Sequence, residues 1–139
     1  MTPEQHTQCH IAIDSASAAA AGVGAGLAQL PGSDAPVIMT IQIGMGFAFG
    51  KIFNIQLSEA MVRASIFTAM AVVSGPIIAR TATQFLFGWI PGVGNAVNAA
   101  TAAGITEANG WILADEYDKQ SRDPGDTTPG DTKPGDTTP

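Results

Sequence analysis

The sequence predicts an all-α fold of about four main helices, arranged as compact helical hairpins. Three observations point there. Long stretches are dominated by Ala, Met, Ile and other residues that a helix accommodates. They are separated by Pro-Gly pairs at 31–32 and 91–92, with Ser33 or Asp34 available to cap the stretch after the first. Strict alternation of apolar and polar residues, the mark of a half-buried strand, is confined to one ambiguous window, "IMTIQIGM" at 38–45.

The first helix is expected over residues 4–30, Ala-rich, with Gly22, Gly24 and Gly26 toward its end and Pro31-Gly32 closing it. Ser33 or Asp34 can cap a second helix, with Pro36 in the first turn, where a missing N–H costs little. That helix runs through "VIMTIQIGMGFAFGKIF" and should end near Asn54. Ser58 caps a third, beginning "SEAMVRASIF". Ser74-Gly75-Pro76 is expected to kink or break it, since proline removes one hydrogen bond and crowds the preceding turn. Helix resumes through "IIARTATQFLFGW" and is broken at Pro91-Gly92; the last helix starts near Asn95 and ends before Arg122.

Two segments follow. Residues 1–122 form one all-helical domain. Residues 123–139, "DPGDTTPGDTKPGDTTP", repeat a Pro-Gly-Asp-Thr unit without a large apolar side chain and are expected to form a disordered C-terminal tail.

Charge is distributed unevenly. Between Ser15 and Thr106 the only acids and bases are Asp34, Lys51, Glu59, Arg63 and Arg80, and most of the net charge of −6 comes from the C-terminal end. There is no basic stripe for phosphates, which argues against nucleic acid as a partner. Cys9 is the single cysteine, so no intrachain disulfide forms, and "MTPEQHTQCH" lacks the basic start of a secretory signal. These features lead us to expect a cytoplasmic protein or one at the cytoplasmic membrane.

Gly92-Val93-Gly94 invites comparison with a dinucleotide loop. That fingerprint needs a preceding strand and a third glycine, but the preceding pattern is helical and position 97 is Val97. Gly92 and Gly94, with Pro31, Gly32 and Pro91, are therefore expected to be hinge residues between helices.

Read together, "ASAAAAGVGAGLAQLPGSDAPVIMTIQIGM", "LSEA" and "IPGVGNAVNAATAAG" resemble the bacterial domain-of-unknown-function family 697 across roughly residues 6–117. That family is similar to the helical domain attached to many bacterial Era/Ras-like GTPases and to YcjF-type membrane proteins. The resemblance implies an all-helical, membrane-associated domain without catalytic residues of its own. It carries over only scaffold positions: the Pro31-Gly32-Ser33-Asp34 turn, Gln42 and Gly44, and the Ile90–Gly94 segment. This chain has no GTPase domain, so a GTPase enters only as a separately encoded partner.

The remaining candidates come from spacing. His6, His10 and Asp14 recur at i, i+4 and i+8 on one helix face and form a candidate divalent-metal set, to be closed by a fourth ligand, Glu107 or a residue of a second copy; otherwise no cofactor is expected. The competing expectation is an exposed His6 beside an ordinary His10–Asp14 hydrogen bond. Cys9 is a weak nucleophile candidate, because neighbouring helical residues point about 100° apart and His10 does not face it. Ser15 and Ser17 read as packing residues. Gly22 with Gly26, Gly46 with Gly50, and Ala96, Ala100 and Gly104 are spaced four apart and are expected to be helix-packing positions.

The mean hydropathy of +0.19 lies between soluble and membrane proteins. Residues 64–79 are uncharged but would span only about 24 Å as a helix, short of the ~30 Å hydrocarbon core. The expectation is a non-enzymatic, membrane-associated or self-assembling domain, a homo-oligomer with membrane lipid as the other candidate partner. The alternative is a soluble metal- or partner-binding module that regulates a separate GTPase; a membrane-perturbing protein is a third.

Overall fold

The computed structural model describes the backbone of residues 1–26, 35–87 and 93–123, and the side chains of 1–26, 36–73 and 95–123. The described residues form four helices and no strand: α1 (Pro3–Gly26), α2 (Ala35–Ile52), α3 (Glu59–Phe87) and α4 (Val93–Arg122). The window at 38–45 is helix, as apolar neighbours on both sides of α2 favour.

Local chemistry sets the helix ends. Thr2 and Gln5 make a reciprocal capping box: the Gln5 N–H donates to Thr2 Oγ1 at 3.1 Å and the Thr2 N–H to Gln5 Oε1 at 2.8 Å. Pro3 then occupies the first helical position, which needs no N–H donor. α2 ends in a Schellman turn. The Ile55 N–H donates to the Gly50 carbonyl and the Asn54 N–H to that of Lys51. Asn54 takes the left-handed conformation this requires, with φ of 55°, and asparagine tolerates that region better than most residues. Ser58 caps α3, its hydroxyl accepting the Met61 N–H at 3.3 Å.

Two boundary expectations change. α3 passes through Ser74-Gly75-Pro76 as one continuous helix to Phe87; the loss of one hydrogen bond is local, and regular helix on both sides outweighs it. α4 starts at Val93, which places Gly94 in its first turn rather than in a hinge. Pro31, Gly32, Pro91, Gly92 and the tail from residue 124 lie outside the described residues.

Contacts fix the arrangement. α1 runs antiparallel to α4, with Gly24 against Asn98 and Ala102 at one end and the Met1 amino group against Asp118 at the other. α2 lies parallel to α4, pairing Gln42 with Asn109 and Phe49 with Tyr117. α3 turns back along α2 and also packs on α4, while α1 and α3 do not touch among the described residues. The core between the helices contains Cys9, Ile13, Phe49, Ile66, Leu113 and Tyr117, all at most 1% exposed.

Small residues permit the close approaches, though not always the expected ones. A Cβ at Gly46 would stand 2.5 Å from Val62 Cγ1, and one at Gly50 would stand 2.8 Å from Leu57 Cδ1. On α1 the contact is Gly24, where an added Cβ would meet the Asn98 carbonyl oxygen at 3.0 Å and Ala102 Cβ at 3.1 Å; at Gly22 and Gly26 it would meet nothing within 4 Å among the described residues. On α4, Ala96 and Ala100 are exposed and Gly104 is half-buried. The buried stripe of α4 instead includes Ala102, Thr106, Asn109, Gly110, Leu113 and Tyr117. Small residues occur all round both helices, so spacing alone does not choose the inward face.

Candidate functional site

Three groups of polar side chains stand out, two between α1 and α4 and one between α2 and α4. The first lies on α1 and α4. His10 Nδ1 is 2.9 Å from Asp14 Oδ2, an i,i+4 pair with both side chains more than half exposed. The His6 and His10 rings flank the half-buried Trp111 of α4, with centroids 5.0 and 5.6 Å from it. The histidine rings are themselves 6.4 Å apart. This corrects the metal expectation: among the described residues no three acidic, histidine or cysteine side chains are grouped to hold an ion. His6 packs on an indole, His10 bonds to Asp14, and Glu107 is exposed on α4.

Cys9 lies on the other side of α1. It is 0% exposed and faces the core, whereas His10 is exposed. Burial, and secondarily the Asp118 carboxylate, push its thiol up to about 11 from an ordinary 9.0. The thiol is therefore neutral near pH 7. Its contribution to stability is complete below pH ~9 and is lost as pH rises through the window from ~9 to ~11, because the unfolded chain releases that proton first. We expect an aromatic disulfide reagent at pH 8 to label Cys9 only after denaturant is added; rapid labelling in plain buffer would contradict the burial.

A second group joins the ends of α1 and α4. Asp118, only 9% exposed, accepts the Met1 ammonium at 2.7 Å and the Arg122 guanidinium at 3.0 Å. Two cations on one nearly buried carboxylate compensate its desolvation.

The third group is internal. Asn109 Nδ2 donates to Gln42 Oε1 at 3.2 Å, with both residues at most 1% exposed. Gln42 Nε2, Asn109 Oδ1 and the hydroxyl of the neighbouring Thr106 have no hydrogen-bond partner in the protein. At the far end of the bundle Asn98 Nδ2 donates to the Gly24 carbonyl at 2.7 Å. Sequence reasoning missed Asn98 and Asn109. The available signal was an amide inside otherwise small and apolar helix, but a surface position gives the same signal.

Ser15 donates back to the Ile11 carbonyl at 2.8 Å, and the Ser17 hydroxyl is enclosed without a partner. The outer surface is apolar in several places: Ile11, Phe67 and Val72 are 62%, 59% and 67% exposed. Between α1 and α2 runs a shallow apolar groove of about 320 Å³, with Ala12, Ala16, Gly44 and Ala48 among its walls. Among the described residues no helix is long and apolar enough to cross a membrane.

The chain matches no protein-family model, no curated protein and no solved structure.

Proposed function

We propose that this chain is a non-enzymatic helical module that acts by covering its apolar outer faces, against further copies of itself or against a membrane. The observation that carries this reading is the exposure of Phe67 and Val72 on a stretch of α3 without a charged side chain between Ala64 and Val73. A monomeric bundle in water dilutes such residues with charges, typically about a quarter to a third of its surface. The open space at Gly22 and Gly26 supports the same reading, because among the described residues nothing covers this small-residue strip of α1. The likeness to family 697 rests on the sequence blocks alone, and no feature of the described surface favours a GTPase partner.

The test combines sedimentation without detergent at micromolar concentration with flotation on lipid vesicles. We expect a homo-oligomer, vesicle binding, or both. Gly26→Leu, where an added Cβ meets nothing among the described residues, is then expected to alter assembly without reducing helical content. A monodisperse monomer in water that ignores vesicles would overturn the proposal.

A further inference from the structure

Five buried side-chain polar atoms among the described residues have no hydrogen-bond partner in the protein. Four of them, Ser17 Oγ, Gln42 Nε2, Thr106 Oγ1 and Asn109 Oδ1, belong to one level of the bundle. The fifth, the Tyr117 hydroxyl, lies about two turns further along α4 and faces Ser65.

Gly110 fixes that level. A Cβ there would meet Ile13 of α1 at 2.8 Å and the Met45 sulfur of α2 at 3.1 Å. Thr106 precedes Gly110 by four residues, Ser17 follows Ile13 by four, and Gln42 precedes Met45 by three. Because α1 runs antiparallel to α2 and α4, all three steps go the same way, by about one turn or 4.5–6 Å. Asn109 adjoins Gly110 and joins the set through its 3.2 Å hydrogen bond to Gln42 Oε1. Ile13 and Met45 close one side of the level. Toward the other, α1 and α4 present only short buried side chains, Ala16, Ala20 and Ala102, none of which brings a polar atom.

We infer that Ser17, Gln42, Thr106 and Asn109 form an internal water-binding site that joins α1, α2 and α4. The donors and acceptors match water. Gln42 Nε2 can only donate, Asn109 Oδ1 can only accept, and each hydroxyl does either. A water that accepts from Gln42 Nε2 and donates to Asn109 Oδ1 and to a hydroxyl oxygen makes three bonds, the usual number for a buried water. Exchanging the nitrogen and oxygen of both amides leaves the same inventory, one donor and one acceptor unused. A metal cation fits worse. In either orientation one amide turns hydrogens toward it, and the neighbouring acid, Glu107, is exposed rather than part of the set.

Left dry, each of these atoms opposes folding. Hydrated, they make a polar layer that only one alignment of the three helices completes. α4 carries small residues on several faces, and this layer turns Thr106 and Asn109 inward in preference to Ala96 and Ala100. The site is internal, so its occupancy does not depend on what covers the outer faces.

Two measurements on the full chain test this. The first is a water-selected nuclear Overhauser spectrum of isotope-labelled protein. Cross-peaks from water to the side-chain amide protons of Gln42 and Asn109 are expected, with the sign of contacts inside a slowly tumbling molecule rather than that of passing solvent. Thr106→Val removes a hydroxyl proton that could relay exchange, and the Gln42 cross-peak is expected to persist in that variant. The second measurement is the urea midpoint. Thr106→Val keeps the size and shape of the side chain but takes a partner from the water, so the midpoint is expected to fall. A buried hydroxyl without any partner gives the opposite sign, because its removal relieves a desolvation cost.

A midpoint raised by Thr106→Val would overturn the inference. So would water cross-peaks missing from both amides of the unaltered chain, and that result decides alone if the valine variant does not fold.

Discussion

Tyr117→Ala is expected to cost about 3–5 kcal/mol in stability, measured by urea unfolding followed through far-ultraviolet circular dichroism. Tyr117 is the largest fully buried side chain among the described residues, and its ring meets Phe49 edge-on at 6.4 Å and 81°. Truncation removes that contact, worth about 0.5–1.5 kcal/mol beyond area, and leaves a cavity where α2 and α4 meet. The hydroxyl behaves differently. It faces Ser65 of α3 but completes no well-formed hydrogen bond. Burial pushes the phenol above its ordinary 10.0, against the pull of Ser65, and the Glu116 carboxylate adds to the rise. Tyr117→Phe is therefore expected to be neutral or to gain up to about 1 kcal/mol, since it removes a buried group without a partner. The phenol's contribution is complete below pH ~10 and is lost as pH rises toward its higher folded value. The phenylalanine variant should accordingly lose less stability in alkali. A Tyr117→Phe variant as damaged as the alanine one would show that the hydroxyl holds the core together.

Gly46→Leu is expected to lose about 3 kcal/mol or more, while Gly44→Ala, two residues away, gains about 0.5–1 kcal/mol. The opposite signs follow from the two faces of α2. A Cβ at Gly46 would stand 2.5 Å from Val62 Cγ1. Val62 is 0% exposed and, being β-branched in a helix, has essentially one rotamer, so it cannot swing away. Nothing lies within 4 Å of a Cβ at Gly44, which leaves only the helix-propensity gain of replacing glycine. The same unfolding measurement reads both. Equal effects at the two positions would mean that α2 does not pack on α3 in this register.

Helix number and most helix starts and stops were legible because they are local. Ser58 and Asn54 act through hydrogen bonds to backbone only a few residues away, and composition identifies such residues directly. The Thr2–Gln5 capping box was equally local and was overlooked. Of the kink or break expected at Pro76, the break does not occur: the lost hydrogen bond is local, and α3 continues through it as helix. The metal set failed for a tertiary reason: spacing placed His6, His10 and Asp14 on one face, but Trp111, a hundred residues away in sequence, occupies the space beside both rings.

What the sequence by itself determined is the helical class, the scarcity of charge between Ser15 and Thr106, and the abundance of small residues along each helix. Only the tertiary structure decided which small residues touch. It chose Gly24 over Gly22 and Gly26, and the stripe through Ala102 and Gly110 over Ala96 and Ala100. A helix that is small all round offers several nearly equivalent faces, and the choice among them belongs to the partner helix. The gathering of charge at one end arises in the same way. Glu4, Lys51, Glu59 and Asp118 are far apart in the chain, and antiparallel packing of the hairpins brings their helix ends together. Local propensity acts within a turn or two, whereas this arrangement comes from how four helices reverse direction.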